Sequence, residues 1–213
     1  MNPENIITPS ASLPTAPVTV APSPGIRPAA PANPDPTVAY YTMAGDVNND
    51  MVQRVFEATA EMTASGIKTA HILLQSHGGY VSDGICLYNY LSNLGLRLVT
   101  YNTGAVASIA VALFLSGSHR VCADTARFML HKSHASPASG SGSEELKILA
   151  EGLIADDART ESIFRKHLKL SVDQWRVHAH SDLHLTSTDA LKAGLVQELG
   201  VFAPPAGIRL INI

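Results

Sequence analysis

Apolar and polar residues follow two alternating periods from Thr37 onwards. Short apolar runs predict strands, and apolar positions spaced three and four residues apart predict helices. The predicted strands are Val38–Met43, Thr69–Leu74, Leu96–Tyr101, Arg120–Ala123 and Phe128–His131. The predicted helices run from Asn48 or Asn49 to about Ala64, from Ser82 to Leu94, after Ser108, from about Glu144 to Leu168, from Ser171, and from Thr186 to Gly194. Strands alternating with helices predict an α/β fold with a mostly parallel sheet and crossover helices.

The first 36 residues differ from this pattern and contain ten of the 13 prolines. Alanine, serine and threonine fill most of the remaining positions, so the segment has little to bury and cannot propagate a helix. We therefore expect residues 1–36 to be a disordered arm and residues 37–213 to be one folded domain. The arm is interpreted as a tether, with a docking peptide as the alternative.

The composition argues against a nucleic-acid-binding protein and against a membrane-spanning one. The chain has 213 residues, 46% of them apolar, and a formal net charge of -3, so no basic excess predicts a nucleic-acid partner. No segment is long and apolar enough to predict a membrane span, and no secretory signal is visible, so we expect a cytoplasmic protein. Cys86 and Cys122 lie in apolar surroundings and are interpreted as reduced core residues.

Ser108 is the first candidate catalytic residue. It lies among small residues, between a predicted strand and an apolar helix, where its hydroxyl could be exposed as a nucleophile. His131, at the end of an apolar strand, is the candidate base, and Asp182 is the candidate that orients the imidazole. The alternatives are that His131 is a buried histidine whose ring nitrogens are hydrogen-bonded within the core, and that Asp182 caps a turn.

The turn Gly78-Gly79 follows a strand and precedes a helix, so its backbone can donate to an anion. A dinucleotide site would need the G-x-G-x-x-G spacing, which is missing. We predict an oxyanion hole formed by the N–H groups of Gly79 and Ile109.

Two other chemistries rank below the triad. A Ser–Lys dyad would need a desolvated, neutral lysine, whereas Lys132 would face away from His131 on a strand and Lys147 lies in a charged stretch. His178, His180 and His184 lack the carboxylate or cysteine companions of a metal site, and we expect neither a metal nor a cofactor.

Four segments, in this order, resemble the proteolytic subunit of the Clp protease, a serine peptidase of the crotonase-like fold. Leu74–Gly84 resembles the family's strand–Ser-Pro-Gly-Gly–helix element, and Gly104–Ser108 resembles its Gly-x-Ala-Ala-Ser nucleophile turn. Arg127–His131 resembles its Arg-Val-Met-Ile-His strand, and Asp182–Val196 resembles its closing segment, which carries the catalytic Asp. The similarity runs from about Val38 to Leu199.

The resemblance implies Ser108 as nucleophile, His131 as base, Asp182 as orienter, and Gly79 and Ile109 as oxyanion donors. It implies hydrolysis of unfolded polypeptide by a homo-oligomer of stacked heptameric rings, with the long helix as the handle between them. A substrate would bind as an extended strand near Gly79 and the loop after His131. The family's partner is a AAA+ ATPase unfoldase, but here the proline-rich arm replaces the family's axial loop and first helix, which weakens that expectation.

Further departures bear on assembly and substrate. His77 replaces the proline of the family's turn, and His180-Ser181 replaces an acidic residue and an arginine that help ring–ring contact. Lys132–Ser143 also differs from the family, so no substrate preference is inferred. The alternatives are another crotonase-fold enzyme, such as an acyl-CoA enzyme or a Ser–Lys peptidase, or a non-catalytic ring-forming relative that scaffolds an active paralogue.

Overall fold

The computed structural model describes residues 35–213. Its elements are β1 (Val38–Ala44), α1 (Asn49–Ala64), β2 (Thr69–Gln75), α2 (Val81–Ser92), β3 (Arg97–Asn102), β4 (Ala105–Ala107), α3 (Ile109–Phe114), β5 (His119–Cys122), β6 (Arg127–Leu130), α4 (Ser143–His167), α5 (Val172–His180), β7 (Leu183–Thr186), α6 (Ser187–Lys192), β8 (Glu198–Leu199) and β9 (Leu210–Asn212). The predicted arm lies outside the described residues, except for Asp35 and Pro36.

The strands form two sheets, and the prediction of a mostly parallel α/β fold is confirmed. A six-stranded sheet has the order β8-β5-β3-β2-β1-β9, and all of its pairs are parallel. A three-stranded sheet has the order β4-β6-β7; β4 and β6 are parallel, whereas β6 and β7 are antiparallel. The second sheet matters most for function because the strands that lead to the candidate site belong to it.

The main core lies between the large sheet and helices α1, α2 and α3. Alternate strand residues such as Tyr41 and Ile72 are buried there, as the period of two requires. All six residues of α3 are buried, which explains why this helix is apolar on every side. On the other face of the sheet, Tyr40 stacks on His71, and the two rings are half-buried.

Side chains cap three helices at the starting positions that the sequence predicts. The Asn48 side chain accepts a hydrogen bond from the Met51 N–H at 2.9 Å. Ser171 and Gln174 form a reciprocal capping box, and Thr186 does the same with Asp189. These bonds satisfy N–H groups that a helix leaves unpaired at its start.

The strand that enters the Ser108 turn differs from its prediction, because it is divided between the two sheets. Asn102 is buried and produces the division: its Nδ2 donates to the Arg127 carbonyl at 2.9 Å, and its Oδ1 accepts from the Gly104 N–H at 3.0 Å. These bonds support the turn after β3 and let the chain continue as β4 beside β6. Strands β7, β8 and β9 were not predicted; β8 and β9 have only two and three residues, too few to show a period.

The interpretation of both cysteines as core residues is wrong for Cys86. Cys122 is buried, whereas Cys86 is exposed on the outer face of α2 with Ser82 and Asn89. The buried residues Ile85 and Leu87 lie on the opposite face, so the local apolar surroundings of Cys86 misled the prediction. Both cysteines are free thiols, and burial raises the pKa of Cys122 to about 11. None of the helices within residues 35–213 has the length and apolar character that a membrane span requires.

Candidate active site

Ser108 lies at the junction of β4 and α3 in a backbone conformation that is rare for a residue with a side chain. Its φ is 57° and its ψ is -136°, and no other non-glycine residue within residues 35–213 has a positive φ. Such conformations cost about 1–3 kcal/mol and persist where the surrounding structure enforces them. Here the Ser108 N–H donates to the Met129 carbonyl at 2.8 Å, which ties the turn to β6.

His131 contacts the Ser108 hydroxyl directly. Its Nε2 atom lies 2.7 Å from the Ser108 Oγ, which is a short, well-formed hydrogen bond. The contact follows from the small sheet, because β4 and β6 are parallel neighbours with Ala107 opposite Met129. His131 itself lies one residue beyond the end of β6, and not in the strand as predicted.

Asp182 lies beside His131 across the antiparallel pair of β6 and β7. The last pair of this ladder joins Leu130 and Leu183. His131 follows Leu130 and Asp182 precedes Leu183, so these two residues face each other. His131 and Asp182 also line one cavity of about 330 Å³. Within residues 35–213, however, the Asp182 carboxylate and the imidazole form no hydrogen bond. The structure therefore brings the three predicted side chains into one region. Ser108 and His131 are hydrogen-bonded to each other, whereas His131 and Asp182 are not.

The surroundings of His131 lower its pKa below the ordinary value. Burial has the largest effect because it disfavours the charged imidazolium, and the neighbouring His134 acts in the same direction. The negative charges of Asp182 and Asp157 act in the opposite direction and partly offset this. At neutral pH the imidazole is therefore uncharged and able to accept a proton from Ser108.

Gly78 allows the close approach of the turn to the nucleophile. It has a φ of 105°, and a Cβ atom there would lie 2.5 Å from the Ser108 Cβ. The turn is anchored on its other side by Val47, whose N–H donates to the Gly78 carbonyl and whose carbonyl accepts from the Tyr80 N–H. A side chain at Gly78 would therefore displace either the nucleophile or the turn.

Two backbone N–H groups are available next to Ser108. Gly79 has a φ of 155°, and neither its N–H nor that of Ile109 donates a hydrogen bond to any group in the described part of the chain. Ile109 is the first residue of α3, so it has no partner within the helix. Both residues line the cleft that contains Ser108. Their position suits donors to a developing oxyanion.

The cleft has a volume of about 420 Å³ and is lined by several polar side chains. Ser133 and His134 line it as well, in the loop after His131 near which a substrate was expected to bind. Asp46, His77 and Thr160 also line it, and sequence analysis did not place them in a site. The ring centroids of His131 and His134 are 5.0 Å apart. Only His77, in the glycine turn, had a local signal that could have identified it. Asp46 and Thr160 reach the cleft through tertiary packing.

The lysines and the remaining histidines are separate from Ser108. Lys132 Nζ lies 2.6 Å from the Glu161 carboxylate, and Lys147 is exposed on α4. His178 is buried, whereas His180 and His184 are exposed, so these three do not share one surface. No group of three or more metal-binding side chains occurs within residues 35–213.

Comparisons with known proteins agree with this architecture. A family model described as Clp protease matches residues 40–201. The chain is 22% identical over 160 residues to an ATP-dependent Clp protease proteolytic subunit of Streptococcus sanguinis, covering 74% of this chain and 82% of the relative. It is 25% identical over 170 residues to ATP-dependent Clp protease proteolytic subunit 1 of Rhodopirellula baltica, covering 76% of this chain and 72% of the relative.

A solved structure of a ClpP1 mutant from Listeria monocytogenes has a similar fold. The TM-score is 0.65 at 18% sequence identity, over 78% of this chain and 92% of that one. The similarity in structure supports the crotonase-like α/β architecture predicted from the motifs. Since the family model spans most of the chain and all four motif segments lie within its bounds, this protein belongs to the Clp protease family.

Proposed function

We propose that this protein is a serine endopeptidase that hydrolyses unfolded polypeptide through an acyl-enzyme intermediate. The observation that carries the proposal is the 2.7 Å contact between His131 Nε2 and Ser108 Oγ in an open cleft. A nucleophile with a base in hydrogen-bond reach is the minimum that acyl transfer needs. Membership of the Clp protease family supports peptide bonds as the substrate.

The reaction begins when Ser108 Oγ attacks the peptide carbonyl and His131 Nε2 takes its proton. The carbonyl oxygen becomes an oxyanion, which the N–H groups of Gly79 and Ile109 stabilise. The imidazolium then gives its proton to the leaving amine. Water attacks the acyl-enzyme in a second round in which His131 again acts first as base and then as acid.

Asp182 has the role of stabilising the imidazolium from the neighbouring strand. Its negative charge opposes the lowering of the His131 pKa by burial, although the carboxylate forms no hydrogen bond to the ring. Catalytic hydrogen bonds are often longer in a free enzyme and close when substrate binds. A small shift of Asp182 towards His131 in the substrate complex would supply the orienting bond.

Assembly into homo-oligomeric rings is the second part of the proposal. Exposed apolar residues on α4, namely Leu146, Ile148 and Ile154, support burial of this helix in an assembly. The relatives' name, ATP-dependent Clp protease proteolytic subunit, supports an assembly of several chains and an ATP-dependent partner. The heptameric ring is what the resemblance to the Clp protease family implies. Native mass spectrometry tests the ring, since seven or fourteen chains are expected and a monomer would contradict it.

The Ser–Lys alternative has less support. Lys132 Nζ is directed to Glu161 on α4, whereas His131 is the residue in hydrogen-bond contact with the Ser108 hydroxyl. Loss of activity in Lys132→Ala together with full activity in His131→Ala would favour the dyad.

Labelling with a fluorophosphonate tests the proposed nucleophile. We expect the wild-type protein to be labelled and to hydrolyse an unfolded polypeptide, and Ser108→Ala to lose both. Ser65→Ala, which changes an exposed serine at the end of α1 that does not line the cleft, is the matched control and should keep both. An unlabelled wild-type protein with a native fold would contradict the proposed function.

A further inference from the structure

Helix α4 holds the segment that follows His131 at two successive residues. Lys132 Nζ lies 2.6 Å from the Glu161 carboxylate. The Ser133 N–H donates to the Asp157 Oδ1 at 2.6 Å. Asp157 and Glu161 are one helical turn apart, so a single face of α4 makes both attachments.

This attachment matters because the strand has already ended. β6 stops at Leu130, and residues 132–136 donate no backbone–backbone hydrogen bond within the described part of the chain. The hydrogen bond to Asp157 is therefore the bond that holds the backbone two residues after the base. A carboxylate acceptor makes it stronger than a bond between neutral groups.

Asp157 also contributes charge to the surroundings of His131. The groups that face the imidazole are His134 in the same loop, Asp182 before β7, Asp157 on α4, and His178, buried on α5. The adjacent Lys132 is directed to Glu161 on α4, with which it forms an ion pair. Asp157 and Asp182 are thus the two negative charges that stabilise a protonated His131, and neither is hydrogen-bonded to it.

We propose that Asp157 is a positioning residue for His131, which fixes the backbone behind the base through Ser133 and stabilises the imidazolium with its charge. The inference rests on the proposed function, because it assigns a role in proton transfer from Ser108. Asp157 does not line the cleft and does not touch a substrate there. The loss of its charge should therefore appear in the pH profile, and a displaced base should appear in kcat.

Two substitutions separate the charge from the hydrogen bond. Asp157→Asn keeps an oxygen that can accept from Ser133 but removes the charge. We expect its kcat/KM profile to move to lower pH, because the imidazolium loses stabilisation, while the plateau rate at high pH is largely kept. Asp157→Ala removes both interactions and should also lower the plateau kcat, by as much as about 100-fold if the base moves by about 1 Å. KM should stay near the wild-type value in Asp157→Asn, which keeps the acceptor for Ser133, a residue that lines the cleft.

Asp156 provides matched controls on the neighbouring residue. Its carboxylate pairs with Arg159 at 3.0 Å within α4, so Asp156→Asn and Asp156→Ala should leave the rate and the pH profile unchanged. Thermal unfolding and native mass of all variants are compared with the wild type. The inference is wrong if the Asp157 variants match the Asp156 variants, or if their losses follow only unfolding or loss of assembly.

The titration of His131 followed by NMR gives a readout that does not need turnover. The His131 signal, assigned by comparison with His131→Gln, should titrate at lower pH in Asp157→Asn than in the wild type. An unmoved titration overturns the inference even if the enzyme is active. Absence of hydrolysis and labelling in the wild type would instead contradict the proposed function, so the two failures are distinguishable.

Discussion

The Nε2 atom of His131 lies 2.7 Å from the Oγ atom of Ser108, although 23 residues separate them in the chain. Each residue follows a strand of the small sheet, and the parallel pairing of those strands brings the two side chains together. The Ser108 N–H adds a second tie by donating to the Met129 carbonyl. Activity should therefore depend on the protonation of His131, on the space beside Ser108 and on the packing of β6.

Peptide hydrolysis should fall on acidification as His131 takes up a proton. Burial and the nearby His134 lower the pKa of His131 from its ordinary value of 6.5, so the base stays neutral to lower pH than a free histidine. We expect the midpoint of kcat/KM below that value in a profile from about pH 4.5 to 8. His134→Gln removes one repelling charge and should move the midpoint upwards. A flat profile over this range would argue against His131 as the base.

Gly78→Ala should abolish hydrolysis while leaving the chain folded. The new Cβ would lie 2.5 Å from the Ser108 Cβ, and the φ of 105° disfavours any side chain. We expect a loss of about 1–3 kcal/mol in the free energy of unfolding from the strained backbone. Urea unfolding and a peptide assay measure the two effects.

Gly152→Ala is the matched control for this change. Gly152 lies inside α4, and a Cβ atom added there would meet no neighbouring group within 4 Å. Alanine should therefore stabilise the helix by about 0.5–1 kcal/mol. Hydrolysis should persist. A Gly78→Ala protein as active as Gly152→Ala would show that the turn and the nucleophile are not tightly fitted.

His178→Leu should make the stability of the protein less dependent on pH. His178 is 2% exposed, both ring nitrogens lack a hydrogen-bond partner among residues 35–213, and its ring packs edge-on against Phe164 and Trp175. Burial, with a smaller effect from Lys132, lowers its pKa. The unfolded chain therefore binds a proton at a pH where the folded chain does not, and the folded state loses stability as pH falls below 6.5.

An unpartnered buried polar group lowers the free energy of unfolding by about 1–3 kcal/mol. Replacing this imidazole removes that cost. We expect the Tm of His178→Leu at neutral pH to equal or exceed that of the wild type, and its fall on acidification to be smaller. His180→Gln changes an exposed histidine and should follow the wild-type curve. A variant that loses stability at neutral pH and keeps the wild-type pH dependence would contradict this account.

Phe128→Ala should be among the more destabilising core substitutions. Phe128 is fully buried on β6 and packs against Phe114 of α3, with ring centroids 5.1 Å apart. Truncation of a buried phenylalanine costs about 3–5 kcal/mol because it leaves a cavity. Tyr80→Ala, at a side chain that is 71% exposed, should stay within about 0.5 kcal/mol of the wild type. Urea denaturation measures the free energy of unfolding of both variants. Equal values for the two variants would show that the Phe128–Phe114 contact does not stabilise β6.

The periodic segments and helix caps were predictable because their causes are local. The caps at Asn48, Ser171 and Thr186 depend on bonds across three residues, which the sequence displays directly. The order of the strands and helices also predicted a mostly parallel α/β fold. The motifs around Ser108 and His131 identified the family that the comparisons then showed.

The tertiary structure decided what depends on residues far apart in the chain. It divided the strand before Ser108 through Asn102, exposed Cys86, and buried His178 without a partner among residues 35–213. It also brought Asp157 to Ser133 and left Asp182 beside His131 without a bond. The longer strands, the helices and the candidate chemical groups could be predicted from the sequence, because periodicity and capping act within a few residues. Only the packed chain decided which groups meet, because strand pairing and helix faces depend on the whole fold.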